Sequence, residues 1–148
     1  MTLEHGEEHR SDKLRITATK TVHGDPKAVG FKISCPDLTV SYTSDTEYTP
    51  DLHLDHKGAD VLIASIIRSG SERIRGHMSV DDFITLINEV KPKLAIMTHL
   101  GMKFIMESPE REAQRVTKET GVKTLAARDG MKIELDDLVT KQHTLDQF

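Results

Sequence analysis

In LRITATKTV, residues 14–22, Leu14, Ile16, Ala18 and Lys20 fall on one face, and Arg15, Thr17, Thr19 and Thr21 on the other. That period-two alternation, rich in β-branched residues, predicts a half-exposed strand. VGFKIS (29–34) and LTVSYT (38–43) are two more short strands joined through Cys35, Pro36 and Asp37, and the three together predict an antiparallel meander. ADVLIASII (59–67) and KLAIMTH (93–99) are apolar nearly throughout and predict strands buried on both faces. Between them the period changes. Phe83, Ile84, Leu86, Ile87 and Val90 recur at helical spacing behind a Ser79/Asp82 pair of capping-box form, with Asp81 and Asp82 at the positive end of the dipole and Lys91-Pro92 closing the helix. A second helix is expected from Ser108-Pro109, with Ser as N-cap and Pro at the first position, to Gly121. Its thin apolar face, Ala113 and Val116, places it on the surface. VKTLAA and MKIEL predict two final strands around the turn Arg128-Asp129-Gly130, and the patternless TKQHTLDQF is expected to fray.

This order predicts an α/β (α+β) fold with a mixed sheet and two main helices. The strand-helix-strand unit of residues 59–99 should be a right-handed crossover between parallel strands. A chain of 148 residues has room for one modest core. The expected organisation is a polar amino-terminal segment (1–13), one folded unit (14–137) and a tail (138–148).

Composition removes several function classes. Aromatics are only 4% and Trp is absent, so the core is aliphatic. With 20 basic and 24 acidic side chains well mixed and a net charge of −4, charge does not indicate nucleic-acid or membrane binding. The single cysteine, Cys35, excludes an internal disulfide framework and fits a reducing compartment. Residues 1–13 are unlike a secretory signal and no apolar run reaches the length of a membrane span, so a soluble cytoplasmic protein is expected.

Candidate chemistry gathers where strands end, since functional groups in such units lie just past the strands' carboxyl ends. His23 follows the first strand, Asp45 the third, His99 the buried KLAIMTH strand, and His77 lies in the loop before the capped helix. Singly, His23 reads as a surface turn residue in HGDP, Asp45 as a turn former, and His77 as a loop residue with no task. His99 ends a buried strand, where a polar ring needs a partner. His5, His9 and His143 read as solvated side chains. DLHLDH, residues 51–56, has the look of a metal motif with Asp51 in place of a first histidine.

The succession His23, GFKIS, LTVSYTSDTEY, GADVLIAS, GHMSVDD, KLAIMTHLG and ARDGMKIEL resembles the second, carboxyl-terminal half of the metallo-β-lactamase superfamily, in particular its ribonuclease Z-like and general hydrolase branches. The likeness spans residues 14–136. It implies half of a helix-sheet-sheet-helix (αββα) sandwich and a metal-dependent hydrolase of phosphodiesters or related esters, acting through a water activated by a dinuclear metal centre. By this resemblance His23 is a ligand of the first metal, Asp45 the carboxylate bridging both, His99 a ligand of the second, and His77 an unligated histidine that stabilises the transition state or protonates the leaving group. Asp129-Gly130-Met131 resembles a structural turn. The implied metal is zinc, two per complete site, with manganese or iron as alternatives. Two cations about 3.5–4 Å apart acidify water and clamp the oxygens of the scissile group, a carboxylate can face both, and neutral imidazoles suit the outer positions.

One departure stands out: the superfamily's His-x-His-x-Asp-His motif does not precede Leu14. The implied site is incomplete, with metal bound weakly or not at all by this chain alone. An uncovered sheet face then implies a partner, either a separate amino-terminal half or another copy in a homo-oligomer, or else a truncated product. DLHLDH matches the missing motif at His53, Asp55 and His56, but it follows the turn Thr49-Pro50 and comes after Asp45, which favours a solvated loop or short helix. The alternative to a hydrolase is a non-catalytic remnant serving as a binding or assembly module. A small-molecule or phosphodiester substrate is implied by the first reading, with nucleic acid possible in kind.

Overall fold

The computed structural model describes residues 2–139; the tail from residue 140, with His143 and the segment expected to fray, lies outside them. In chain order the strands are β1 (Glu8–Ser11), β2 (Leu14–Thr19), β3 (Gly30–Ser34), β4 (Thr39–Tyr42), β5 (Val61–Arg68), β6 (Met78–Ser79), β7 (Leu94–Thr98) and β8 (Lys123–Ala126). The helices are α1 (Leu52–His56), α2 (Val80–Val90), α3 (Met102–Met106) and α4 (Pro109–Thr120). They form the expected α/β fold around one mixed, eight-stranded sheet of order β1-β2-β3-β4-β5-β7-β8, with β6 beside β5.

The sheet divides by strand direction. β1 to β4 are an antiparallel meander, while β4-β5, β5-β7 and β7-β8 pair in parallel. Each parallel step returns through helix: α1 between β4 and β5, α2 between β5 and β7, α3 and α4 between β7 and β8. β2 is antiparallel to β3 and β3 to β4, so β2 runs with β4 and the parallel set. The carboxyl ends of β2, β4, β5 and β7 therefore share one edge of the sheet.

The larger core lies between the sheet and the helices. Leu62, Ala64 and Ile66 of β5 and Ala95 and Met97 of β7 meet Phe83, Leu86 and Ile87 of α2, Phe104 of α3, and Ala113 and Val116 of α4. α2 is held as its pattern implies. Ser79 Oγ accepts the Asp82 amide, Asp82 Oδ2 accepts the Ser79 amide, and Lys91 ends the helix in a left-handed conformation with its N–H on the Ile87 carbonyl. α4 begins with Pro109 and ends at Gly121 as expected, but Ser108 caps it by position only. Its backbone is left-handed (φ 63°) where an N-cap is ordinarily extended, and no side-chain cap bond forms.

The second face of the sheet carries a smaller cluster, Val61, Leu94 and Ile96. Here MKIEL departs from expectation. It forms no strand: Ile133, Leu135 and Leu138 lie across this face, with Lys93 Nζ donating to the Leu138 carbonyl. The alternation that suggested a ladder is satisfied by burying one side of the segment on an existing sheet. The expected turn is present, with the Met131 amide on the Arg128 carbonyl and Gly130 at φ 75°. The sheet begins at Glu8, ahead of residue 14, because polar β1 extends the meander by one strand.

Candidate metal centre

Four loops leave the shared carboxyl edge, and each carries one of the residues singled out by position. The loop after β2 brings His23, the loop after β4 brings Asp45, the loop from β5 to β6 brings His77, and β7 runs directly into His99. Two of these turns use costly backbone. Ser44 (φ 57°) and His99 (φ 54°) are left-handed without being glycine, which places the neighbouring Asp45 and His99 itself at a sharp change of direction.

The side chains converge. Donor atoms of His23, Asp45 and His77 all lie within 4.8 Å of one another, and all three residues are partly buried. His99, more exposed, directs Nε2 to within 3.3 Å of Asp45 Oδ2. The His77 ring meets His23 edge-on at 5.2 Å between centroids and His99 at 5.9 Å. His77 Nδ1 faces the Arg75 carbonyl at 3.1 Å, a bond that requires the proton on Nδ1 and leaves the Nε2 lone pair available. His23 Nδ1 has only a long contact, 3.4 Å, from the Asp25 amide. The His99 ring is half exposed, so burial does not demand a partner for it as the apolar strand implied; Asp45 is its carboxylate neighbour.

This donor set fits a divalent cation. Ligands around a tetrahedral zinc at about 2.0–2.1 Å sit about 3.4 Å apart, and donor atoms within 4.8 Å of one another on His23, Asp45 and His77 could hold such an ion. The grouping distributes the residues differently from the resemblance: His77, expected to be unligated, lies in the compact trio, and His99 reaches it through Asp45.

DLHLDH does not converge. It forms α1 after Asp51, and its side chains diverge. His53 Nδ1 bonds the Pro50 carbonyl at 3.0 Å. Asp55 accepts from the Lys20 amide at 2.7 Å and meets His5 Nε2 at 2.9 Å. His56 is fully buried, with Nδ1 2.6 Å from Ser41 Oγ and Nε2 without a partner among the described residues. Burial pushes the His56 imidazole down to about 4, the Lys32 ammonium adds to this, and the Asp55 carboxylate opposes it. Asp51 is held down at about 2 by hydrogen bonds from Thr49 and Lys20.

Position alone did not reveal what ties the loops together. The Val22 amide donates to Thr46 Oγ1 at 2.8 Å, the Glu47 amide to the Val22 carbonyl at 2.9 Å, and the Gly76 amide to Glu47 Oε1 at 2.6 Å. The only trace of these residues in the sequence is adjacency to Asp45 and His77. A cavity of about 510 Å³ opens beside them, lined by Val22, His23, Gly24, Glu47, Arg75 and Gly76.

Residues 1–100 match the family model of the β-lactamase superfamily domain. The chain belongs to the β-lactamase superfamily. An uncharacterized protein of Methanocaldococcus jannaschii is 46% identical over 122 residues, which cover 81% of this chain and 45% of that protein. Among solved structures, the metallo-β-lactamase fold protein YhfI from Bacillus subtilis superimposes with a TM-score of 0.77 at 20% identity, over 88% of this chain and 54% of its own. Zinc-bound PqqB from Methylobacterium extorquens does so with a TM-score of 0.66 at 18% identity, over 91% and 52% respectively. These likenesses show the superfamily fold. The chain spans about half the length of these relatives. Among the described residues no helix is long and apolar enough to cross a membrane.

Proposed function

We propose that this chain contributes a divalent-metal site to a hydrolase that cleaves a phosphodiester or a related ester. The observation that carries the reading is the convergence of three imidazoles and one carboxylate at a single sheet edge. In this reading His23, Asp45 and His99 would hold the metal, zinc, manganese or iron, with Asp45 as the carboxylate able to serve more than one cation. Cations bound there supply Lewis acidity and a nucleophile available at neutral pH. His77, oriented through its Nδ1 by the Arg75 carbonyl, offers Nε2 beside the rings of His23 and His99; Nε2 would take up the proton released by the attacking water and, as the imidazolium, pass it to the leaving group. Arg75 lines the cavity next to His23 and pairs with no carboxylate among the described residues, which favours an anionic substrate over a neutral one.

Catalytic zinc is usually held by three protein ligands, and two cations sharing Asp45 would have fewer here. We therefore assign the remaining donors to a segment outside this sequence, on the same polypeptide, on a separate amino-terminal half or on a second copy. The second sheet face, where Leu38, Val40, Ile63 and Leu125 stay only partly buried alongside Ile133, Leu135 and Leu138, is the surface against which it would pack.

The compactness of the His23, Asp45 and His77 trio favours a second assignment, with His77 as a ligand and His99 as the proton carrier. Equilibrium dialysis against zinc and manganese separates the two. Binding lost in Asp45→Ala and His99→Ala but kept in His77→Ala supports the first assignment, and the converse supports the second. Hydrolysis of bis(p-nitrophenyl) phosphate then tests the reaction class. A protein that takes up no metal yet forms a stable oligomer would favour an assembly module over the hydrolase reading.

A further inference from the structure

Three separate loops deliver His23, Asp45 and His77, yet one side chain and its neighbour reach all three. Val22 precedes His23, Thr46 follows Asp45, and Gly76 precedes His77. The Val22 amide donates to Thr46 Oγ1 (2.8 Å), and the Val22 carbonyl accepts the Glu47 amide (2.9 Å). Glu47 Oε1 accepts the Gly76 amide (2.6 Å), and Thr46 Oγ1 donates to the Glu47 carbonyl (2.9 Å). Thr46 is fully buried, while Glu47 is partly buried and lines the cavity beside His23. The closure is tight. Gly76 sits at φ 81° with the position of a Cβ only 3.1 Å from His23 Cδ2, so the loop bearing His77 lies directly against the His23 ring.

We propose that Glu47 is a positioning residue: its carboxylate, through the Gly76 amide, fixes the His77 loop against the His23 and Asp45 loops, which Thr46 Oγ1 and the Glu47 amide already join through Val22, and thereby preforms the cluster of His23, Asp45 and His77. The inference rests on the metal-site reading for its consequence, not for its geometry. Glu47 lies outside the donor trio itself and acts through the backbone on either side of it. Partners of this outer kind typically change metal affinity about 10- to 100-fold when removed.

The test compares Glu47→Ala with Glu47→Gln, whose amide oxygen can still accept from Gly76. In metal-free protein, NMR reads the contact between the His23 and His77 rings and the exchange of the Gly76 amide; zinc titration reads affinity. Glu47→Ala is expected to lose the ring contact, expose the Gly76 amide and weaken zinc about 10- to 100-fold, with the unfolding midpoint close to that of the parent; Glu47→Gln should restore all three. Should the alanine chain not fold, Glu47→Met keeps the length without the acceptor and is read in the same way. An intact ring contact in Glu47→Ala or Glu47→Met overturns the proposal, as does a Glu47→Gln chain as defective as Glu47→Ala. If the parent binds no zinc on its own, the donors of this chain do not suffice without the further segment assigned above, while the metal-free readouts still decide the role of Glu47.

Discussion

His56 gives the sharpest quantitative prediction, because a fully buried imidazole held at about 4 must make folding depend on pH. An unfolded histidine titrates at about 6.5. Between those values the unfolded chain binds a proton at this site and the folded chain does not, so acid favours unfolding. The stability in question is fully present above pH 6.5, falls as pH drops below it, and stops falling once the folded imidazole itself titrates near 4. At pH 5 the proton-binding ratio of the two states corresponds to a loss of about 2 kcal/mol, and the limiting loss is about 3 kcal/mol. With a urea slope of about 2 kcal/mol per M, the midpoint should move down by about 1 M between pH 7.5 and pH 5. Other carboxylates and histidines contribute to the raw pH dependence, so the informative quantity is the difference from His56→Gln, which can still bond Ser41 but cannot titrate. Urea melts of both proteins at pH 7.5, 6 and 5 should show the parent losing about 2 kcal/mol more than the variant. Parallel pH profiles would mean that His56 is solvated or charged in the folded protein, contrary to its burial.

Three further outcomes follow from features of the fold and the site. Phe83→Ala, at a position with no exposed surface between α2 and the sheet, should cost about 3–5 kcal/mol in chemical denaturation, and a loss under 1 kcal/mol would contradict the packing described. Gly76→Ala forces a left-handed alanine against His23, so it should destabilise by about 1–2 kcal/mol and shift the His23 imidazole resonances; an unchanged spectrum would refute the close approach. Arg75→Ala should raise KM for bis(p-nitrophenyl) phosphate several-fold while leaving KM for a neutral ester unchanged, and equal effects on both would remove Arg75 from anion recognition.

Where the chain buries one face regularly, its pattern was readable. β2 through β5, β7, α2 and α4 lie where alternation, apolar runs and caps indicate. β1 escaped notice because all four of its residues are exposed and no face distinguishes it. At residues 51–56, where the sequence favours a solvated loop or short helix, the short helix α1 forms, but Leu52 and His56 are buried and not solvated; α3, with five residues, is too short for helical spacing to register, and β6 has two. MKIEL shows the converse failure, since alternation reports one buried side and not whether the backbone finds a ladder partner. At the site, the ends of strands marked His23, Asp45 and His99, and the loop before α2 marked His77. The bonds of Thr46 and Glu47 to Val22 and Gly76 cross 24 to 29 positions, a separation at which local pattern carries no information.

The meander also imposes a parity rule on how this fold can vary. His23 shares an edge with Asp45 and His99 only because an even number of direction reversals separates β2 from β4. Adding or deleting a single strand between them would carry His23 to the opposite edge, about 20 Å away along the six residues of β2. Inserting a whole hairpin would preserve the edge and merely widen the gap. Variation in the first part of the sheet is therefore constrained to come in pairs of strands, a restriction set by direction alone and independent of which side chains the strands bear.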